Sequence, residues 1–172
     1  MSQRDSGYQR KELDAYDTPE WVTQALLPHI KGVTSVWEPA AGAGQMVRVL
    51  EAAGLQVTAT DIATGQDFLS ATAKPVDAIV TNPPYALAQE FIEHALALTK
   101  PSGVIAMLLR CDFDHAKTRQ HLFGQCPQFA KKLVLTKRVR WIEGSNGSPS
   151  FNHAWFVWDW QHEGPATLVY GP

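Results

Sequence analysis

The chain has 172 residues, 45% of them hydrophobic and 19% charged, with a net charge of -2. That is enough apolar material for one globular core, and it excludes a global positive field that would attract nucleic acid. No apolar run approaches the roughly 20 residues needed to cross a membrane, and the polar start MSQRDSGYQRKELDAYDTPEW lacks a secretory signal core. Cys111 and Cys126 have neither metal nor redox spacing and read as reduced thiols of a cytoplasmic protein. The histidines are scattered without a ligand pattern, so no metal site is expected.

In chain order, residues 1–15 read as a polar arm and 16–172 as one domain. DTPEWVTQALLPHI predicts a helix with Asp17 or Thr18 as cap, Pro19 in first position and Trp21, Ala25 and Leu26 on its packed face. TSVWEPA predicts a strand ending in a turn. GQMVRVLEAAG predicts a helix with Met46, Val49 and Leu50 inward and Gly54 as its stop. LQVTATDI and VDAIVTN predict strands. ALAQEFIEHALALTK predicts an amphipathic helix with Leu87, Phe91, Ala95 and Leu98 in one stripe. GVIAMLL predicts a buried strand, DHAKTRQHLFGQ a helix, and KKLVLTKRV, HAWFVWDW and ATLVY further strands. EGSNGSPSFN reads as a long loop. The alternation implies an α/β fold, with a mostly parallel sheet covered by helices on both faces.

In such sheets ligands bind beyond the carboxyl ends of the strands. The unusual residues cluster there: EPAAGAG, TD, TNPPY and RCDFD each follow an apolar strand. Gly42 and Gly44 let the first turn bend and approach a ligand closely. Asp61 follows at the spacing of an acid that binds ribose hydroxyls, or else it is a helix cap. Glu38 beside the turn suits a ligand carrying a positive charge. Taken alone, Asp67 and Phe68 read as a turn acid and a core ring.

TNPPY is the sharpest element. A residue before proline is pushed out of the α region, so Asn82 and Pro83 are extended. The proline rings remove two N–H groups, and the backbone there can only accept hydrogen bonds. Asn82 adds a side-chain carbonyl and Tyr85 a flat ring. Two acceptors beside an aromatic plate complement a planar amine. Holding its two protons favours a pyramidal nitrogen and aims the lone pair at an electrophile.

Together these motifs resemble the S-adenosylmethionine-dependent amino-methyltransferases, in particular the DNA adenine-N6 group. EPAAGAG resembles their cofactor turn, TDI the ribose acid, Asp67-Phe68 the pair that meets the cofactor adenine, and TNPPY the catalytic motif. YDTPEW resembles the segment lining the methionine end, and HAWFVWDW a late aromatic strand. The resemblance implies a single Rossmann-like class I domain with a seven-stranded sheet. It assigns Asn82 and Pro83 to the target amine, Pro84 to stiffening the loop and Tyr85 to stacking on the base. It assigns Glu38, Ala40, Gly42, Gly44, Asp61, Asp67 and Phe68 to S-adenosylmethionine, with Asp17 and Thr18 near its methionine end.

The implied partner is nucleic acid, DNA first, with the target base flipped out or single-stranded. The family often carries a separate target-recognition domain. None is expected here, so a partner or second copy would supply recognition. Within the chain, KKLVLTKRVR places basic side chains next to Trp141, either to meet phosphate and base or as a solvated strand face. Alternative readings are an RNA base or protein glutamine methyltransferase, or a catalytically silent binding module.

Overall fold

The structure, a computed structural model, describes residues 17–141 and 151–172. The arm expected over residues 1–15, and most of the EGSNGSPSFN loop, lie outside the described residues. Among the described residues no helix is long and apolar enough to cross a membrane, and no group of histidine, cysteine and acidic side chains could hold a metal ion.

Seven strands form one sheet: β1 (Ser35–Glu38), β2 (Gln56–Ala59), β3 (Ala78–Thr81), β4 (Val104–Arg110), β5 (Phe129–Leu135), β6 (His153–Asp159) and β7 (Thr167–Gly171). Their order is β2-β1-β3-β4-β6-β5-β7. β1 pairs in parallel with β2 and β3, β3 with β4, and β5 with β7. β6 is antiparallel to both of its neighbours. The sheet is therefore mixed: among the described strands β6 alone runs in reverse, inserted between β4 and β5. Because β2 lies on one side of β1 and β3 on the other, the strand order reverses at β1, where such folds open a crevice.

Helices cover both faces. α1 (Glu20–Leu26) and α2 (Gln45–Ala52) contribute Val22, Leu26, Met46 and Leu50 to one core cluster, which includes Trp155. α3 (Ala88–Thr99) contributes Ala88, Phe91, Ile92 and Ala95 to the other, which includes Trp158. Three residues apart on a strand, Trp155 and Trp158 face opposite sides, and with both sides covered both are fully buried. Each indole N–H is satisfied: Trp155 donates to the Val22 carbonyl at 2.8 Å and Trp158 to that of Leu122 at 2.7 Å.

Met46, Val49 and Leu50 are the buried residues of α2, as their spacing predicts. The helix stops where Gly54 turns left-handed (φ 88°) and Leu55 N–H returns to the Leu50 carbonyl at 3.2 Å. α1 differs from expectation. It begins at Glu20 with Pro19 as an uncapped N-cap, and it buries Val22, Thr23 and Leu26 while Trp21 and Ala25 are half-buried. The Thr18 hydroxyl is engaged elsewhere, and Trp155 pins the helix through Val22. α3 begins at Ala88. Leu87 belongs to a preceding 3-10 turn, Tyr85–Leu87, closed onto the Pro84 carbonyl at 2.9 Å, so the buried stripe shifts to Ala88, Phe91, Ile92 and Ala95.

The helix expected over DHAKTRQHLFGQ is instead two 3-10 segments, Phe113–His115 and Lys117–Leu122, separated by an extended Ala116. Lys132 on β5 binds both the Cys111 carbonyl (2.8 Å) and the Asp114 carboxylate (2.7 Å), tying this chain to the sheet before an α-helical turn can start.

The entry to β1 is held from β3. Asp77 Oδ2 accepts from Thr34 N–H (2.8 Å), the Thr34 hydroxyl (2.7 Å) and Ser35 N–H (2.9 Å). These bonds, the Thr34 hydroxyl first, hold its carboxyl down at about 2. Asp77→Ala is expected to destabilise the protein by about 1 kcal/mol, a small value because the group is exposed and screened. The unfolded chain binds this proton more readily, so the wild-type advantage is complete above the ordinary carboxylate range and disappears as pH falls through about 2. Denaturant melts of both proteins across acid pH measure it.

Candidate active site

The site is built where β1 and β3 end side by side. Glu38, last residue of β1, is 1% exposed. Its Oε1 accepts from the Thr81 hydroxyl at 2.6 Å and from Ala40 N–H at 2.9 Å. Burial pushes the carboxyl up to about 8, the nearby Asp61 charge adds to this, and the two hydrogen bonds oppose it. The acid is therefore largely neutral at pH 7, and both described bonds fall on one oxygen.

Beyond Glu38 the chain turns through two left-handed glycines, Gly42 (φ 51°) and Gly44 (φ 80°), a conformation that a side chain would strain. Gly42 N–H donates to Asp61 Oδ2 at 2.8 Å, which binds the turn to the end of β2. Asp61 Oδ1 accepts from Ala63 N–H at 2.8 Å and caps the 3-10 turn Ile62–Thr64. The cap is thus present, and each oxygen keeps lone-pair capacity for a hydroxyl. Gly44 is the N-cap of α2 and offers no side chain, so the opening N–H groups of that helix have no side-chain cap.

One residue past Thr81, Asn82 donates from Nδ2 to the Thr18 hydroxyl at 3.3 Å. The carbonyl Oδ1 is shielded from solvent and has no hydrogen-bond partner among the described residues. An orphaned buried acceptor is costly and fits a donor that is yet to arrive. Pro83 is buried, and Tyr85 is half-buried with its ring 6.1 Å from that of His153.

Hydrogen bonds thus join Thr18 to Asn82 and, through Glu38, Thr81 to Ala40; the Thr81–Asn82 peptide bond links the two sets, and Asp61 is bonded to Gly42 two residues beyond Ala40. Asp17 is exposed beside Thr18. Asp67 and Phe68 stand apart from this network. Asp67 accepts from Leu69 N–H (3.0 Å) as a turn cap. Phe68, 2% exposed, packs against Trp37, Phe91 and His94 at centroid distances of 5.1, 4.8 and 5.0 Å. Both do what the two residues suggest on their own.

The basic block is also divided by the fold. Lys131 approaches His29 and Lys132 is drawn inward to Asp114, while Lys137, Arg138 and Arg140 are exposed beyond the end of β5, with Lys137 over the Trp21 ring at 5.0 Å. Sequence reasoning did not single out Thr81 or His153. Thr81 stood inside the quoted motif without a role, and His153 among scattered histidines.

No protein-family model and no curated protein matches the chain. Solved structures do. A protein of Listeria monocytogenes assigned to the class I S-adenosylmethionine-dependent methyltransferases aligns at a TM-score of 0.63 and 15% identity, over 89% of this chain and 64% of its own. A modification subunit assigned to a type I restriction enzyme of Vibrio vulnificus aligns at 0.62 and 14%, over 90% of this chain and 46% of its own. The fold is that of class I methyltransferases. A dimethyladenosine transferase from Plasmodium falciparum shares it at 0.58 and 14% identity, over 84% of this chain and 62% of its own. The chain thus spans less than two thirds of the length of each of these structures.

The folded protein holds the Glu38 proton that the unfolded chain releases, so stability should fall as pH rises from the ordinary glutamate range through about 8. Glu38→Gln, which matches the neutral acid in shape, is expected to fold and to lack this part of the slope. Denaturant titrations of both proteins at intervals from pH 5 to about pH 9 give the comparison.

Proposed function

We propose that the protein transfers a methyl group from S-adenosylmethionine to an exocyclic amine, adenine N6 in DNA being the first substrate to test. The observation that carries this reading is the shielded, unpartnered Asn82 Oδ1 held beside Tyr85 at the strand-order reversal. The fold, shared with methyltransferases of which two are named for modification and for dimethyladenosine, supports it.

The residues present fit the cofactor. A buried carboxyl with no cation beside it among the described ion pairs suits the ammonium end, Asp61 suits ribose hydroxyls, and the left-handed glycines allow close approach. Glu38, Asp61, Gly42 and Gly44 would hold it, with Ala40 in the same turn and Asp17 and Thr18 beside the catalytic loop. Asp67 and Phe68 would contribute through the 3-10 turn they build. When bound, S-adenosylmethionine supplies a methyl group on a sulfonium, an electrophile that carries its own leaving group.

The chain's own contribution is orientation and charge stabilisation. Asn82 Oδ1 and the Pro83 carbonyl accept the two amine protons, which turns the nitrogen lone pair toward the methyl group. As the amine becomes cationic the same acceptors stabilise it, and the methylated, strongly acidic nitrogen then loses its surplus proton to water, so no tuned base is needed. Thr18 keeps Asn82 from rotating. Pro84 stiffens the loop, and Tyr85 stacks on the ring that bears the amine. A paired base would have to leave its duplex to reach this rim, so a flipped or single-stranded target is proposed.

Incubation with labelled S-adenosylmethionine and, separately, duplex DNA, single-stranded DNA, RNA and cell protein tests the reading. Label at adenine N6 of DNA is expected, whereas label confined to RNA or protein would sink the DNA assignment. Asn82→Ala should lower turnover by roughly 100-fold or more while cofactor affinity stays nearly intact. Asp61→Ala should instead weaken cofactor binding by about 10-fold or more, as loss of a charged hydrogen-bond acceptor does. Equilibrium dialysis with labelled cofactor separates the two effects.

A further inference from the structure

We infer that His153 is a positioning residue that fixes the plane of the Tyr85 ring, and with it the plane in which the target amine is presented. The inference rests on the amine-methylation reading for its purpose, although the contact itself does not.

His153 opens β6, the reversed strand, so it stands at the carboxyl edge of the sheet, paired in register with Arg110 at the end of β4. It is 2% exposed. Its ring lies 6.1 Å from that of Tyr85 at an interplanar angle of 32°, a tilted ring contact. On the other flank the Trp141 ring meets it edge-on at 5.1 Å and 81°. Three rings therefore form a wedge: Trp141 sets His153, and His153 sets Tyr85.

Tyr85 needs such a support. It follows two prolines whose backbone is stiff, and it opens a 3-10 turn closed by the bond from Leu87 N–H to the Pro84 carbonyl. The backbone is settled locally, and the remaining freedom is in the side-chain torsions. A tilted neighbouring ring limits those torsions. A ring tilted out of plane would move the amine away from Asn82 Oδ1, and small misplacements of this kind are expensive in rate.

The chemistry of the imidazole agrees. Burial, and then the positive charge of Arg110, lower its proton affinity to about 4, against weaker opposition from the Phe151 backbone and the Asp112 carboxylate. At neutral pH the ring is uncharged, so the imidazole itself adds no positive charge behind the aromatic plate where an amine nitrogen turns positive. Nδ1 is shielded and without a hydrogen-bond partner among the described residues. The ring is held by its faces and edges and by a hydrogen bond with the Phe151 backbone, and a flat apolar ring keeps the contacts through which it meets Tyr85.

The test uses His153→Ala, which removes the ring, and His153→Phe, which keeps a plane and removes both nitrogens. His153→Leu is added as a bulky, non-planar control in case the alanine variant does not fold. With methyl transfer detected, the non-planar variants should lose about 10-fold or more in kcat with cofactor affinity unchanged. His153→Phe should recover turnover to within about threefold of wild type. Two outcomes would overturn the inference: a phenylalanine variant as impaired as the alanine or leucine one, or a non-planar variant with wild-type kcat.

Aromatic NMR of the unliganded protein, with the Tyr85 signals assigned through Tyr85→Phe, provides a readout that needs no activity. Ring flipping of Tyr85 should quicken in the non-planar variants and remain slow in His153→Phe. Unchanged flipping in the non-planar variants sinks the inference, even if the protein methylates an amine. An inactive wild type with the expected NMR pattern instead leaves the positioning role standing and removes the functional reading.

Discussion

A carboxylic acid that is almost entirely out of solvent, joined to a threonine hydroxyl across neighbouring strands, is the constraint on which the site depends. The Glu38–Thr81 bond of 2.6 Å spans the ends of β1 and β3, where the strand order reverses. Burying an acid there is unfavourable unless it is neutral or well hydrogen-bonded, and the fold supplies both conditions. One bond therefore sets two distances at once. It holds the glycine turn beyond Glu38 against the loop beyond Thr81, and a molecule spanning the crevice meets both.

From that bond the network grows outward by short steps. Thr81 is followed immediately by Asn82, whose amide is oriented by Thr18 from the segment entering α1. Glu38 is followed by the turn whose Gly42 N–H is fastened to Asp61 at the end of β2. Three strand ends and one helix entry thus converge on a few side chains. Among the described residues the Asn82 acceptor is shielded and without a hydrogen-bond partner, and an acceptor of that kind is what a waiting substrate group would leave.

The reversed strand matters as much as the parallel ones. By running backwards between β4 and β5, β6 brings its first residue to the edge where the other described strands end. His153 reaches Tyr85 for this reason. The same strand places Trp155 and Trp158 on opposite faces, where their indoles anchor α1 and the Lys117–Leu122 segment. Charge is distributed in a similar way. With a net charge of -2, the chain has no long-range field for nucleic acid, yet Lys137, Arg138 and Arg140 are exposed on the edge that carries the site.

By itself the sequence determined the elements and the local chemistry of their ends. Apolar runs marked the strands, and Met46, Val49 and Leu50 marked the inner face of α2. The double proline identified an acceptor-only rim, because φ restriction and missing N–H groups are properties of the residues themselves. Tertiary structure alone decided which ends meet. Thr18 reads locally as a helix cap, but the fold brings it to Asn82, 64 residues away. Lys132 reads as part of a basic stripe, but Asp114 draws it inward. DHAKTRQHLFGQ reads as a helix, but that same lysine ties it down as 3-10 turns. Glu38 and Thr81, 43 residues apart, carry no periodic signal of their partnership. Periodicity and propensity report what a residue does to its own turn or strand face, whereas a partner across the sheet is chosen by strand order, which no local pattern encodes.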